Sequence, residues 1–184
     1  MNSIDLNQAL TTLGSILEDQ GLKFELVAIG GGALLLLGTI IRPTNDLDIV
    51  ALVDERNLIS ARPLPPPLLK AIDDVGKAFK LPSHWINSAP ADLWESGLPT
   101  GFQQRLERID YKGLILYCAS RFDQICFKLY ASVDQGSDSK HYHDLKLLYP
   151  TSEELNVAAT WCKTQDVSEP FKQCLDDLLT LMEG

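Results

Sequence analysis

A chain of 184 residues with 45% hydrophobic content can bury one sizeable core and is too short for two full domains. A net charge of −9 and a pI near 4.7 exclude a protein that coats nucleic acid through bulk positive charge, while leaving room for a local basic surface. The four cysteines, Cys118, Cys126, Cys162 and Cys174, have no Cys-x-x-Cys spacing and follow no signal peptide, so reduced, buried thiols in a cytoplasmic protein are expected.

Leu6, Leu10, Leu13 and Leu17 recur at helical spacing and predict an opening helix that Gly21 stops. Phe24 to Ile29 reads as a buried strand. It runs into Gly30-Gly31-Gly32 and a short, apolar, helix-like run from Ala33 to Gly38, far too short to span a membrane. After Arg42-Pro43-Thr44-Asn45-Asp46-Leu47-Asp48, a second strand continues through Val53. Asp54 to Pro67 is expected to be a break, because Pro63, Pro65, Pro66 and Pro67 stiffen it and exclude helix. Both a loop at the mouth of a site and a plain surface turn fit it.

A helix is predicted over Leu68 to Phe79, followed by an irregular stretch from Pro82 to Thr100 that carries Trp85, Asn87 and Trp94. Arg105 to Tyr111 and Leu114 to Cys118 read as a hairpin about Lys112-Gly113. Ser120 with Asp123 caps the next helix, whose apolar stripe is Phe122, Ile125, Leu129 and Val133. Further helices are predicted over Lys140 to Leu148, Thr151 to Lys163 and Glu169 to Met182. Strands and long helices do not alternate regularly, which disfavours a parallel doubly wound fold.

The chemistry concentrates in residues 30 to 48. Carboxylates at i and i+2 on a strand share a face, so Asp46 and Asp48 point one way while Leu47 and Ile49 point into the core. Two adjacent acids repel and resist burial unless a cation neutralises them. Such a pair offers hard oxygen ligands and leaves positions open for phosphate oxygens. Upstream, a strand that ends in three glycines and opens into a helix aims backbone N–H groups at an anion. A tight turn beside a solvated acid pair is the plain structural alternative. The Gly-x-x-x-x-Gly-Lys-Ser/Thr phosphate loop is not met, since no Lys follows Gly38, and the dinucleotide fingerprint fails on its third glycine.

This order of strand, glycine turn, helix and Asp-x-Asp strand resembles the nucleotidyltransferase fold, the DNA polymerase β-like superfamily. The Gly-Gly-Gly-Ala-Leu start and the Arg42-x-Thr44-x-Asp46-x-Asp48 ending look most like the AbiEii and MenT-type toxin nucleotidyltransferases. The resemblance implies an α/β (α+β) class: a small mixed sheet with a helical C-terminal half. It is expected as one domain, with a sheet-containing core over 1–118 and a helical part over 119–184 packed on it. It further implies that Asp46 and Asp48 hold Mg²⁺ or Mn²⁺, that Gly30, Gly31, Gly32, Arg42 and Thr44 serve the nucleotide, and that an NTP is the substrate. Lys128, in Lys128-Leu129-Tyr130-Ala131, matches the family's Lys motif and is expected to hold the triphosphate. A solvated helix lysine is the alternative.

Asp144 falls where the family carries a later acid that completes the site. Here histidines flank it, and a structural Asp144 that caps a helix or pairs with Lys140 competes. His141 and His143 diverge on a helix and do not make a chelating pair. Glu107 and Asp110 are the candidates for a third metal carboxylate. The implied activity is transfer of a nucleotidyl group to an acceptor hydroxyl, with RNA or tRNA as acceptor, in the toxin of a toxin–antitoxin pair with a cognate antitoxin and no membrane. The alternative is a catalytically retired module of the same fold that binds nucleotide or protein.

Overall fold

β1 (Phe24–Ile29) holds the centre of a mixed six-stranded sheet because four of its residues, Leu26 to Ile29, are buried and it has a strand on each side. The computed structural model describes residues 1–183, and among them are six strands and eight α-helices, an α+β architecture. The chain falls into two units. One is Met1–Ser96 with Gln103–Ala119, and the other is Gly97–Phe102 with Ser120–Gly184.

In the first unit α1 (Ser3–Asp19) starts at a capping box. The Asn2 side chain accepts from the Asp5 amide, and the Asp5 carboxylate accepts from the Asn2 amide. Its buried face is Leu6, Leu10, Leu13 and Leu17, as the spacing predicts, and each buried leucine contributes about 1.5–3 kcal/mol. β1 leads directly into α2 (Gly30–Leu36), which begins at the first glycine instead of at Ala33.

The sheet order is β3-β2-β1-β6-β5. β2 (Leu47–Asp54) runs antiparallel to β1 with a bulge at Val27/Ala28, and β6 (Leu114–Cys118) runs parallel to β1. β5 (Glu107–Tyr111) closes that edge as the predicted hairpin with β6.

Two expected irregular stretches are structured. β3 (Asn57–Ser60) lies inside the expected break after Asp54 and pairs with β2 through a two-residue turn, Glu55-Arg56, both at positive φ. That turn normally takes Asn-Gly, so its sequence carries no hairpin signal. The proline run does not simply exclude helix: Pro66 and Pro67 open α3 (Pro66–Phe79), where a missing N–H costs nothing. Between Pro82 and Thr100 lie β4 (Ile86–Asn87), parallel to β2, and α4 (Ala91–Ser96). Trp85 anchors this stretch. It is buried, its indole N–H donates to the Ile72 carbonyl at 3.0 Å, and its carbonyl accepts from the Leu47 amide at 2.7 Å.

The second unit is helical: α5 (Arg121–Gln135), α6 (Lys140–Leu147), α7 (Ser152–Gln165) and α8 (Glu169–Glu183). Ser120 caps α5 by accepting from the Asp123 amide, as predicted. Edge-to-face pairs Phe102–Phe127, Phe127–Trp161 and Tyr130–Trp161, with centroids 5.5–5.9 Å apart, form its aromatic core. The Arg121 guanidinium donates to the Leu148 and Tyr149 carbonyls and to Glu154, which ties the end of α6 to the start of α7.

Three of the cysteines are buried free thiols, but Cys174 is exposed, against expectation; it sits on an outward position of α8. No helix of the described residues is long and apolar enough to cross a membrane.

Candidate functional site

Exposure alternates along the start of β2. Asp46 and Asp48 are half-buried, while Leu47 and Ile49 between and after them are fully buried. The strand begins at Leu47, so Asp46 stands just before it, in a turn closed by Thr44. The Thr44 hydroxyl donates to the Asp46 carbonyl at 3.1 Å and lies 3.3 Å from its carboxylate Oδ1. Buried Thr44 thereby fixes the turn that presents Asp46, and Met1 ties the Thr44 backbone on both its N–H and its carbonyl.

The three glycines each lie against this segment, most tightly at Gly30 and Gly32. Asp48 is paired across the sheet with Ile29, the residue before Gly30. A Cβ on Gly30, whose φ is +74°, would stand 2.9 Å from Asp48 Oδ2. One on Gly31 would meet the Arg42 guanidinium at 3.3 Å and the Thr44 hydroxyl at 3.4 Å. One on Gly32 would meet the Asp46 carbonyl and Leu47 Cδ1, both at 2.8 Å. Residues 30 to 32 and 42 to 48 are therefore one packed seam, and the glycines let the acid-bearing segment lie against the first turn of α2. Ile29, at the N-cap of that helix, has no side-chain acceptor to offer its amides. Gly30, Gly31, Gly32, Arg42, Thr44, Asp46 and Asp48 are thus brought together.

One neighbour escaped the sequence reading. Asn87 in β4 is the register partner of Asp48, and its amide Nδ2 donates to Asp48 Oδ1 at 3.1 Å. A two-residue strand has no periodicity, and an asparagine in a proline-bounded stretch reads as a turn residue.

Neither candidate third carboxylate joins the pair. Glu107 and Asp110 lie on β5, with β6 and β1 between that strand and β2, roughly 14 Å away at ordinary strand spacing. Both are exposed. Asp110 accepts from Arg108 and from the Lys112 amide, which hold its carboxyl below the usual range. Among the described residues no group of three or more His, Cys, Asp or Glu is arranged to hold a metal. The donor set at the seam is two carboxylates, which suits a hard, largely hydrated cation that also takes phosphate oxygens.

Lys128 and Asp144 pair with each other inside the helical unit. Lys128 Nζ lies 2.7 Å from Asp144 Oδ2, with side chains 3% and 0% exposed. Lys128 is therefore no solvated lysine, and the cap of α6 is Ser139, not Asp144. Gln124, Lys128 and Ser132 are all buried at i, i+4 spacing, a polar stripe within α5. His141 is half-buried and His143 exposed, so the two diverge as expected.

Residues 5–155 match a family model described as "Nucleotidyltransferase of unknown function (DUF6036)". No curated protein and no solved structure matches the chain.

Proposed function

The chain belongs to this nucleotidyltransferase family, and from that premise we propose that the seam of residues 30 to 48 is the catalytic centre of a metal-dependent nucleotidyl transfer. The observation that carries the reading is the joint packing of three glycines, Arg42, Thr44 and the two half-buried acids. Asp46 and Asp48 would hold Mg²⁺ or Mn²⁺. When bound, that cation would offset the charge of phosphate oxygens and stabilise the entering and leaving oxygens. The amides at the start of α2 and the Arg42 guanidinium receive the phosphates. Thr44 keeps the Asp46 turn in shape.

The reaction is in-line attack of an acceptor hydroxyl oxygen on the α-phosphorus of an NTP. A new P–O bond forms, the α–β bridge breaks, pyrophosphate leaves, and the hydroxyl proton passes to solvent. The likeness to AbiEii and MenT-type toxins supports RNA, tRNA included, as acceptor, and a toxin restrained by a cognate antitoxin. That likeness also assigns Lys128 to the triphosphate and Asp144 to its neighbourhood. Because the two are buried against each other, Lys128→Ala reports on folding before it reports on binding.

The deciding experiment incubates the protein with α-labelled NTPs, Mg²⁺ and total RNA, beside an Asp46→Ala/Asp48→Ala control. Transfer of label that the double variant abolishes is expected, and transfer that persists in it would refute the assignment. A second reading, a retired module that binds nucleotide without turnover, is favoured by the edge-strand position of Glu107 and Asp110. It predicts Mg²⁺-dependent NTP binding with no label transfer to any acceptor.

A further inference from the structure

We propose that Asn87 is the positioning residue for Asp48, fixing which carboxylate oxygen the acid presents at the glycine seam. The inference rests on the reading of Asp48 as a cation ligand. The orientation of the Asn87 amide is set by two independent partners. The Ala89 backbone N–H, which can only donate, lies 2.9 Å from Asn87 Oδ1. The Asp48 carboxylate, which when ionised can only accept, lies 3.1 Å from Nδ2. Both demand the same rotamer, so the assignment of oxygen and nitrogen is chemically determined.

The backbone that carries Asn87 is itself clamped. The Arg62 guanidinium donates to the Ser88 carbonyl at 3.1 Å, to the Ala89 carbonyl at 3.0 Å and to the Asp92 carboxylate at 2.7 Å. The parallel bridge Asp48↔Asn87 fixes the two residues side by side.

The consequence for the acid is a division between its oxygens. Oδ1 is engaged by Asn87, and Oδ2 is the atom that comes closest to the open face of Gly30. Asn87 stands beside Asp48 in the parallel bridge. It places a donor, Nδ2, on Asp48 and turns its own oxygen to the Ala89 amide. Outer partners of metal-binding carboxylates commonly change metal affinity 10–100-fold when removed.

The test is Mn²⁺ binding to the full chain, followed by the electron paramagnetic resonance of free Mn²⁺, with thermal melts in metal-free buffer alongside. The variants are Asn87→Leu, near in volume without the donor, the smaller Asn87→Ala, Asp48→Asn, and Asp48→Asn/Asn87→Leu. Either Asn87 variant is expected to weaken Mn²⁺ about 10-fold or more while the melting transition is kept. In the Asp48→Asn background, Asn87→Leu should change nothing further. Wild-type affinity in the Asn87 variants, with Asp48→Asn impaired, overturns the role of Asn87 and leaves the acid pair standing. Binding that survives Asp48→Asn overturns both. An equal loss on Asn87→Leu in both backgrounds assigns Asn87 to support of the fold and also overturns the proposal.

Discussion

The acid pair at the strand start and the ion pair in the helical unit handle charge in opposite ways. Asp46 and Asp48 are two acids, half-open to solvent, on a segment packed against the glycine seam and with a hydrogen-bonded turn on one side. Lys128 and Asp144 are opposite charges sealed away from water and matched to each other at 2.7 Å. On the proposed reading, the first arrangement is completed by a cation that the two carboxylates would hold. The second is self-compensating, and its energetics lie in desolvation: the pair is tolerated together and costly apart.

That contrast is sharpest in stability. Lys128→Ala strands a buried carboxylate and should lower unfolding free energy in urea by about 3–5 kcal/mol. Lys128→Met/Asp144→Leu should recover most of that loss. Asp46→Asn or Asp48→Asn, at half-open positions, should stay within about 0.5 kcal/mol of the wild type. Comparable losses in all of them would erase the distinction between the two regions.

The seam itself should answer next. Gly32→Ala drives a Cβ into a backbone carbonyl and should cost about 1–3 kcal/mol. Gly30→Ala adds the strain of a positive φ, of similar size. Gly31→Ala meets the far end of the flexible Arg42 side chain and should cost least. A flat series would mean that the segment does not pack as described.

Alkali probes both units at once. Burial, with a lesser contribution from the Glu107 charge, pushes the Cys118 thiol up to about 12, and burial pushes the Tyr111 hydroxyl up to about 12. In the helical unit burial raises the Cys162 thiol as well. The unfolded chain ionises these groups first, so it binds fewer protons than the native state. Their stabilisation is complete below about pH 8.5 and falls as pH rises towards 12, from about 8.5 for the thiols and about 10 for Tyr111, by about 1.4 kcal/mol per pH unit for each group. Under reducing conditions Cys118→Ala should give a shallower decline in melting temperature between pH 9 and 11. An unchanged slope would show that this thiol is not what alkali acts on.

The order of chemistry-bearing residues from Gly30 to Asp48 was legible because each element there has a local signal: an apolar strand, glycines, and alternation about two acids. β3 and β4 were not legible. Glu55-Arg56 gives no turn signal, and two residues cannot show a period. Asn87 was hidden for the same reason, since its importance comes from a bridge 39 residues away. That Lys128 is buried, not solvated, was not legible because an amphipathic helix is expected to keep one face in water. Gln124, Lys128 and Ser132 do occupy one face, but α5 has α6, α7 and α8 around it, and only tertiary packing reveals that.

The parallel pairing of β1 with β6 has a consequence for how the chain is made. Phe24 is paired with Leu114, ninety residues further along. The glycines and both acids of the seam, from β1 to the start of β2, leave the ribosome early as a contiguous segment. One edge of β1, with Leu26 to Ile29 exposed, then waits for its second partner through about 5–20 seconds of synthesis at ordinary rates. For that interval a nascent chain carries an apolar, unpaired strand edge, the kind of surface that recruits other strands. Slower translation across residues 30 to 114 is therefore expected to lower soluble yield, a trace that the finished protein no longer displays.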